Sequence, residues 1–338
     1  MTDKRRATPK AQLKHLTGNL QQLAAVRSII LDEGPALGQR ALAFSTGGGL
    51  DFWIFSDRTM DIGPLWFHGM PVAWHHPAGM LSPTLHDAHR DRETGIERAL
   101  TGFMMTCGLD NVRQPQDGLP LHGTLPFTPA RVTAYGEDWN AATPVLFAEG
   151  TIVSAHLGGA SFSLLRRIEA PIGGTSLEVT DTIENIGPEP GLFRILYHTN
   201  FGFPAVGEGT RVLLNGRELM QHEPPGEDTQ HRSAQAECYP SGTGRFLASL
   251  ERPASGQWQG IRVNLEGDAR NLPYVQLWSD PRPYRNIVSI EPVNCDRRSD
   301  GTSTDGVKLM PGEAWTSTLK YSFNYLDAVK KGAPNGNS

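Results

Sequence analysis

Cysteine is scarce in this chain, and the three present, Cys107, Cys238 and Cys295, fall at unrelated spacings. An odd, scattered set makes no disulfide framework and fits a reducing compartment, so a cytoplasmic location is expected. No apolar run approaches the roughly 20 residues that a helix needs to cross a bilayer. The opening MTDKRR leads into mixed polar sequence, not an apolar signal core. A soluble protein with no membrane partner is the expectation. Basic blocks are missing as well: the formal charge is -5, which argues against a nucleic-acid partner.

Several catalytic signatures are also absent. There is no GxGxxG, and the GGG at 47–49 precedes a strand-like run when a phosphate-cradling turn would open a helix. No GxSxG elbow occurs, and Cys107 lies in an apolar run that reads as core. Eleven histidines raise the question of a metal. His75 and His76 are adjacent, so on a strand they point to opposite faces. The pair His86 and His89 in HDAH has no third ligand nearby. The reading is therefore an enzyme with neither metal nor other cofactor.

What the chain has in quantity is glycine (37) and proline (25), placed between short apolar runs. That is the pattern of many short strands joined by turns. In SLEVTDTIEN, Leu177, Val179 and Ile183 alternate with Glu178, Thr180, Thr182 and Glu184, the period of a half-buried antiparallel strand. In LFRILYHTN, Leu192, Arg194, Leu196, His198 and Asn200 share one face, and Phe193, Ile195, Tyr197 and Thr199 the other. Leu50, Phe52 and Ile54 alternate likewise, and PYVQLWSD, NIVSIEP and AWTSTLKYSFNYL supply late strands. Residues 83–102 read as a loop with a helical turn or two, and 218–241 as a polar excursion. No repeat or composition break marks a boundary. One all-β domain over residues 1–338 is expected, with its core at about 20–328 and a disordered tail, KKGAPNGNS.

Three segments end an apolar run with a group able to move a proton: PLHGTLPF at His122, LFRILYHTNFGFP at His198 and NIVSIEPVN at Glu291. Two imidazoles and a carboxylate suffice for acid and base chemistry near neutral pH. Each has a plainer explanation. His122 could cap local backbone, His198 could be a satisfied core histidine, and Glu291 could be salt-bridged to Arg297. A buried unpaired carboxylate costs several kcal/mol, so Glu291 between IVSI and Pro292 needs a partner or a role.

The same residues carry a family likeness. DRTMDIG (57–63), CGLDNV followed by PLHG (107–123), LYHTNFGFP (196–204) and SIEPVN (289–294) lie in that order along nearly the whole chain. With them the chain resembles the aldose 1-epimerase-like proteins of the galactose mutarotase superfamily, in a bacterial branch. It departs from the better-known mutarotases in placing Thr124, not a second glycine, after Gly123. The resemblance implies a β-supersandwich of two large twisted antiparallel sheets, with the site on one concave face. It also implies interconversion of sugar anomers without a cofactor, with a small carbohydrate as the partner. Carried over, the catalytic residues fall on His122, His198 and Glu291.

Substrate hydroxyls are expected to meet Arg58, Asn111, Asn200 and Gln276. Arg58 follows a strand and can clamp two oxygens or a carboxylate, unless it pairs with Asp57 or Asp61. Asn111 and Asn200 lie beside the two histidines, and Gln276 shares a strand face with Tyr274 and Trp278. A phosphorylated sugar is disfavoured, because no cluster of Lys and Arg is evident near the motifs. Two other classes stay open: a non-catalytic carbohydrate-binding or regulatory protein, and an isomerase or lyase acting on an oxidised sugar.

Overall fold

The computed structural model describes residues 10–157 and 159–326, so the expected disordered tail lies outside the described residues. Two antiparallel sheets account for nearly all regular structure. The first runs Ala25–Ile30, Arg40–Ser45, Leu50–Phe55, Asp61–Phe67, Met104–Leu109, Gly191–Phe201, Ile287–Val293, Tyr274–Asp280, Gln235–Pro240, with Met70–Pro71 and Val307–Leu309 attached at its flanks. The second runs Arg217–Gln221, Arg211–Leu214, Arg245–Arg252, Ile261–Asp268, Ala314–Tyr325, Ser176–Asn185, Ser161–Pro171, Val145–Ala155, Arg131–Asp138. This is the mutarotase-type sandwich that the motifs implied. Among the described residues the α-helical pieces are Lys10–Leu16 and Arg90–Glu93, and no helix is long and apolar enough to cross a membrane.

The period-two pattern decides which side chains enter the space between the sheets. Phe193, Ile195 and Tyr197 from the first sheet pack in one cluster with Leu164, Val179, Ile183, Leu319 and Phe323 from the second. A polar stitch crosses the same core. Arg166 donates to both oxygens of Asp181, at 2.8 and 2.6 Å, and to the Thr59 carbonyl at 2.9 Å. Tyr197 donates its hydroxyl to Asp181 at 2.8 Å. All of these side chains are fully buried, so every charge here requires its partner.

Residues 218–241 differ from the expected excursion, for they hold most of Arg217–Gln221 and all of Gln235–Pro240. Each is the last strand of a different sheet. An edge strand meets water along one side and one face, and polar composition suits it better than apolar alternation. That is why the stretch reads as a loop.

Candidate active site

The other face of the first sheet carries the site. Antiparallel register sets Met105 opposite His198, Gln276 opposite Glu291, and Cys238 opposite Gln276. The pairing of Thr199 with Ile290 in turn sets His198 opposite Glu291. One row of side chains thus crosses five strands on one face, with the imidazole and the carboxylate at its centre. Val288 and Ile290 point the other way, into the core, so Glu291 is fully buried without being in the sandwich interior. A cleft of about 360 Å³ opens above the row, and His122, His198, Gln276, Trp278 and Glu291 all line it.

Hydrogen bonds fix the orientation of each group. Nε2 of His198 lies 3.2 Å from Oε1 of Glu291. Asn200 donates its amide N–H to the Gly102 carbonyl at 3.2 Å, which turns its oxygen to Nδ1 of His198 at 2.6 Å. An amide oxygen can only accept, so Nδ1 carries a hydrogen. With a hydrogen on Nδ1, Nε2 faces the carboxylate across an ordinary hydrogen-bonding distance. Glu291 also accepts from the Ser289 hydroxyl on Oε1 and from the Gln276 amide on Oε2, the latter at 2.6 Å.

His122 enters from the loop after Met104–Leu109, its ring 5.2 Å from that of His198 and nearly perpendicular. Its Nδ1 accepts the Arg113 backbone N–H at 3.3 Å, leaving Nε2–H as the donor toward the cleft. Burial, with His198 and Arg113 close by, holds its pKa well below the usual histidine value, so the ring is neutral near pH 7. His122 itself sits at φ 62° and Gly123 at φ 74°. At Gly123 a Cβ would fall 2.2 Å from Oδ1 of Asp110 and 2.5 Å from the Asn111 carbonyl. Only glycine fits there. Thr124, the departure from the better-known mutarotases, anchors the turn by donating its hydroxyl to Asp110 at 2.7 Å.

The expected hydroxyl-binding residues fare differently. Arg58 is a correction: it does not line the cleft. It is buried, donating to the Ala99 carbonyl at 3.1 Å and resting on the Met105 sulfur at 3.7 Å. Burial lowers its pKa, with Asp61 opposing. Asn111 is a second correction, because it is fully buried and braces the His122 loop through the Gln114 and Pro120 carbonyls at 3.1 and 2.9 Å. Asn200 sits at the site but spends its amide on His198. Gln276 lines the cleft with both ends of its amide engaged by protein. The alternative for Glu291 also fails, since its ionic partner is His198 and not Arg297.

One residue that sequence reasoning missed is Arg113. Its Nε donates to Gln276 Oε1 at 2.6 Å, and Gln276 passes its own N–H to Glu291. Its other nitrogens reach the Asp296 carbonyl, the Ser303 hydroxyl and the Cys295 carbonyl at 2.7, 3.1 and 3.1 Å. Because an arginine can only donate, the Gln276 amide has one possible orientation, and its N–H must face the carboxylate. Arg113 thereby braces Glu291 through its side chain and His122 through its backbone. The only sequence signal is its place nine residues before His122. No group of three or more His, Cys, Asp or Glu suited to a metal occurs among the described residues.

A family model described as a domain of unknown function (DUF4432) matches residues 36–323. No curated protein matches the chain. Among solved structures, a Klebsiella pneumoniae protein provisionally named an aldose 1-epimerase superposes with a TM-score of 0.78 at 19% identity, covering 90% of this chain and 86% of that one. A galactose mutarotase-like protein from Clostridium acetobutylicum gives 0.59 at 14% identity, over 89% of this chain and 98% of that one. The galactose 1-epimerase of Lactobacillus acidophilus gives 0.52 at 12% identity, over 89% and 98%. At such identities the likeness speaks for the fold. The chain belongs to the DUF4432 family and has the galactose mutarotase-like fold.

Proposed function

We propose that this protein is a sugar mutarotase, opening and reclosing the ring of a free aldose or aldose derivative by acid and base catalysis. The observation that carries the reading is the His198–Glu291 pair, 3.2 Å apart on the floor of a sugar-sized cleft, with the neutral His122 ring against it. Trp278, its ring 5.9 Å from that of His198, offers an aromatic face to the apolar side of a sugar.

In the proposed cycle Glu291 takes the proton of the anomeric hydroxyl. The C1–O1 bond becomes a carbonyl, the bond from C1 to the ring oxygen breaks, and that oxygen takes the Nε2 proton of His198. Rotation about C1–C2 exposes the other face. The ring hydroxyl then returns its proton to His198 and attacks C1, and Glu291 reprotonates the exocyclic oxygen. His122, neutral and donating from Nε2, steadies charge on the oxygen atoms as it moves.

Anomeric exchange followed by NMR over free aldoses and sugar acids tests this directly. Wild-type protein should accelerate exchange of at least one of them. Glu291→Gln and His198→Asn should each cut the rate on the order of 10²–10⁴-fold with the fold retained. Near-normal exchange by a folded Glu291→Gln protein, or no exchange of any sugar by the wild type, would end the proposal.

A further inference from the structure

The cleft wall holds four arginines, Arg113, Arg282, Arg285 and Arg297, against three carboxylates, Glu97, Asp280 and Glu291. Most of these charges are already satisfied. Arg113 is spent on Gln276 and on backbone and side-chain acceptors around it. Arg282 grips Asp280 with two bonds, at 2.8 and 2.6 Å, and Arg285 reaches the same carboxylate at 3.5 Å. One carboxylate thus serves two guanidinium groups. Glu97 is exposed at the rim, where solvent screens it.

Arg297 is different. It is half-buried and lines the cleft. Among the described residues its guanidinium has neither a hydrogen-bond acceptor nor an ionic partner; its backbone N–H alone is engaged, by Asp296 at 2.7 Å. Gly301, at φ 86°, lies against it. There a Cβ would lie 3.1 Å from Arg297 Nη2 and 2.8 Å from Gln114 Cγ. Gln114 lines the cleft beside it; among the described residues its backbone carbonyl is engaged by Asn111, and its side chain makes no hydrogen bond. The missing side chain at Gly301 leaves these two residues room to stand together over the turn.

A bound sugar would cover Arg297. If the sugar were neutral there, a guanidinium would lose water without gaining a countercharge, which is costly. A carboxylate or phosphate would replace that water with paired, charge-assisted hydrogen bonds matched to the planar fork. Resting on the mutarotase reading, we infer that the substrate is an anionic aldose. Its carboxylate or phosphate group, remote from the anomeric carbon, binds Arg297 and Gln114 while C1 lies over His198 and Glu291.

The test separates binding from turnover by using methyl glycosides, whose rings cannot open. Methyl glucuronide, methyl glucoside 6-phosphate and methyl glucoside, with their galacto counterparts, are titrated calorimetrically into wild-type protein and into Arg297→Gln and Arg297→Lys. At least one anionic glycoside should bind better than its neutral counterpart. The preference should fall about ten- to hundredfold in Arg297→Gln, the range expected for hydrogen bonds to a charged group, with partial recovery in Arg297→Lys. Which anion shows the preference distinguishes carboxylate from phosphate. Equal binding of neutral and anionic glycosides, or a preference unchanged in Arg297→Gln, overturns the inference. Anomeric exchange of the corresponding free sugars is measured alongside. Anion-selective binding with no exchange of any sugar would instead overturn the mutarotase reading on which the inference rests.

Discussion

Glu291, His198 and Gln276 show how little freedom the site leaves its reacting groups. The amide of Gln276 is locked between a donor that cannot accept and a carboxylate that cannot donate. If it positions Glu291 and does not hold sugar, Gln276→Leu should lower kcat about tenfold, the scale of one charge-assisted hydrogen bond, and displace the pH profile of kcat. A sugar-binding role would raise KM and leave that profile in place. His122 supports a second prediction. Its folded-state pKa is depressed, so the unfolded chain binds this proton more readily. The contribution is fully present above the unfolded value of about 6.5 and is lost as pH falls below it. Melting temperature should therefore decline from about pH 6.5 downward, and less steeply in His122→Asn. An unchanged slope in that variant would remove His122 from the pH response.

At the scale of elements, the loop after Met104–Leu109 does as much as any strand. It places His122 by two successive left-handed residues, with Asn111 and Asp110 holding the turn from inside. Gly123→Ala puts a methyl group against backbone oxygen and forces a left-handed alanine. Together these should cost roughly 2–4 kcal/mol. Urea unfolding measures the loss, and anomeric exchange should fall with it as His122 is displaced. Wild-type stability in that variant would mean that the turn relaxes more freely than its packing indicates. The edge strands Arg217–Gln221 and Gln235–Pro240 have a different role: the second carries Cys238 to the end of the row that contains Glu291.

For the whole molecule, the two sheets are joined by apolar packing and by buried polar contacts, among them a knot around Arg166. Arg166 and Asp181 lie on the second sheet, and Tyr197 and Asp61 on the first. Tyr197 precedes His198, so the knot lies directly behind the proposed acid. Arg166→Met leaves Asp181 buried with only the Tyr197 hydroxyl as a side-chain partner. The expected loss of stability is about 3–5 kcal/mol, read by denaturant unfolding. A loss below 1 kcal/mol would show that water or rearrangement compensates.

Alternation along single strands was sufficient to read the all-β class, the two faces of the His198 strand, and the need of Glu291 for a partner. These are local properties, because a period of two assigns side chains to faces without reference to any other strand. Neighbours across the sheet are another matter. That His198 faces Glu291, and that Gln276 stands beside it, depends on the register between strands whose paired residues lie 93 and 15 positions apart along the chain. Long side chains from loops are the least legible of all. Arg58 and Arg113 each stand near a motif, yet the first is covered by Ala99 while the second braces two site residues. Three of the four cleft arginines, Arg282, Arg285 and Arg297, flank the Glu291 motif within sixteen residues, so a basic cluster does stand beside that motif. The sequence does not say which of them is spent on Asp280 and which stays open to the cleft. Direction of a side chain and the company it keeps are set by packing between distant segments, and for that reason the tertiary structure alone decided which cations face the cleft.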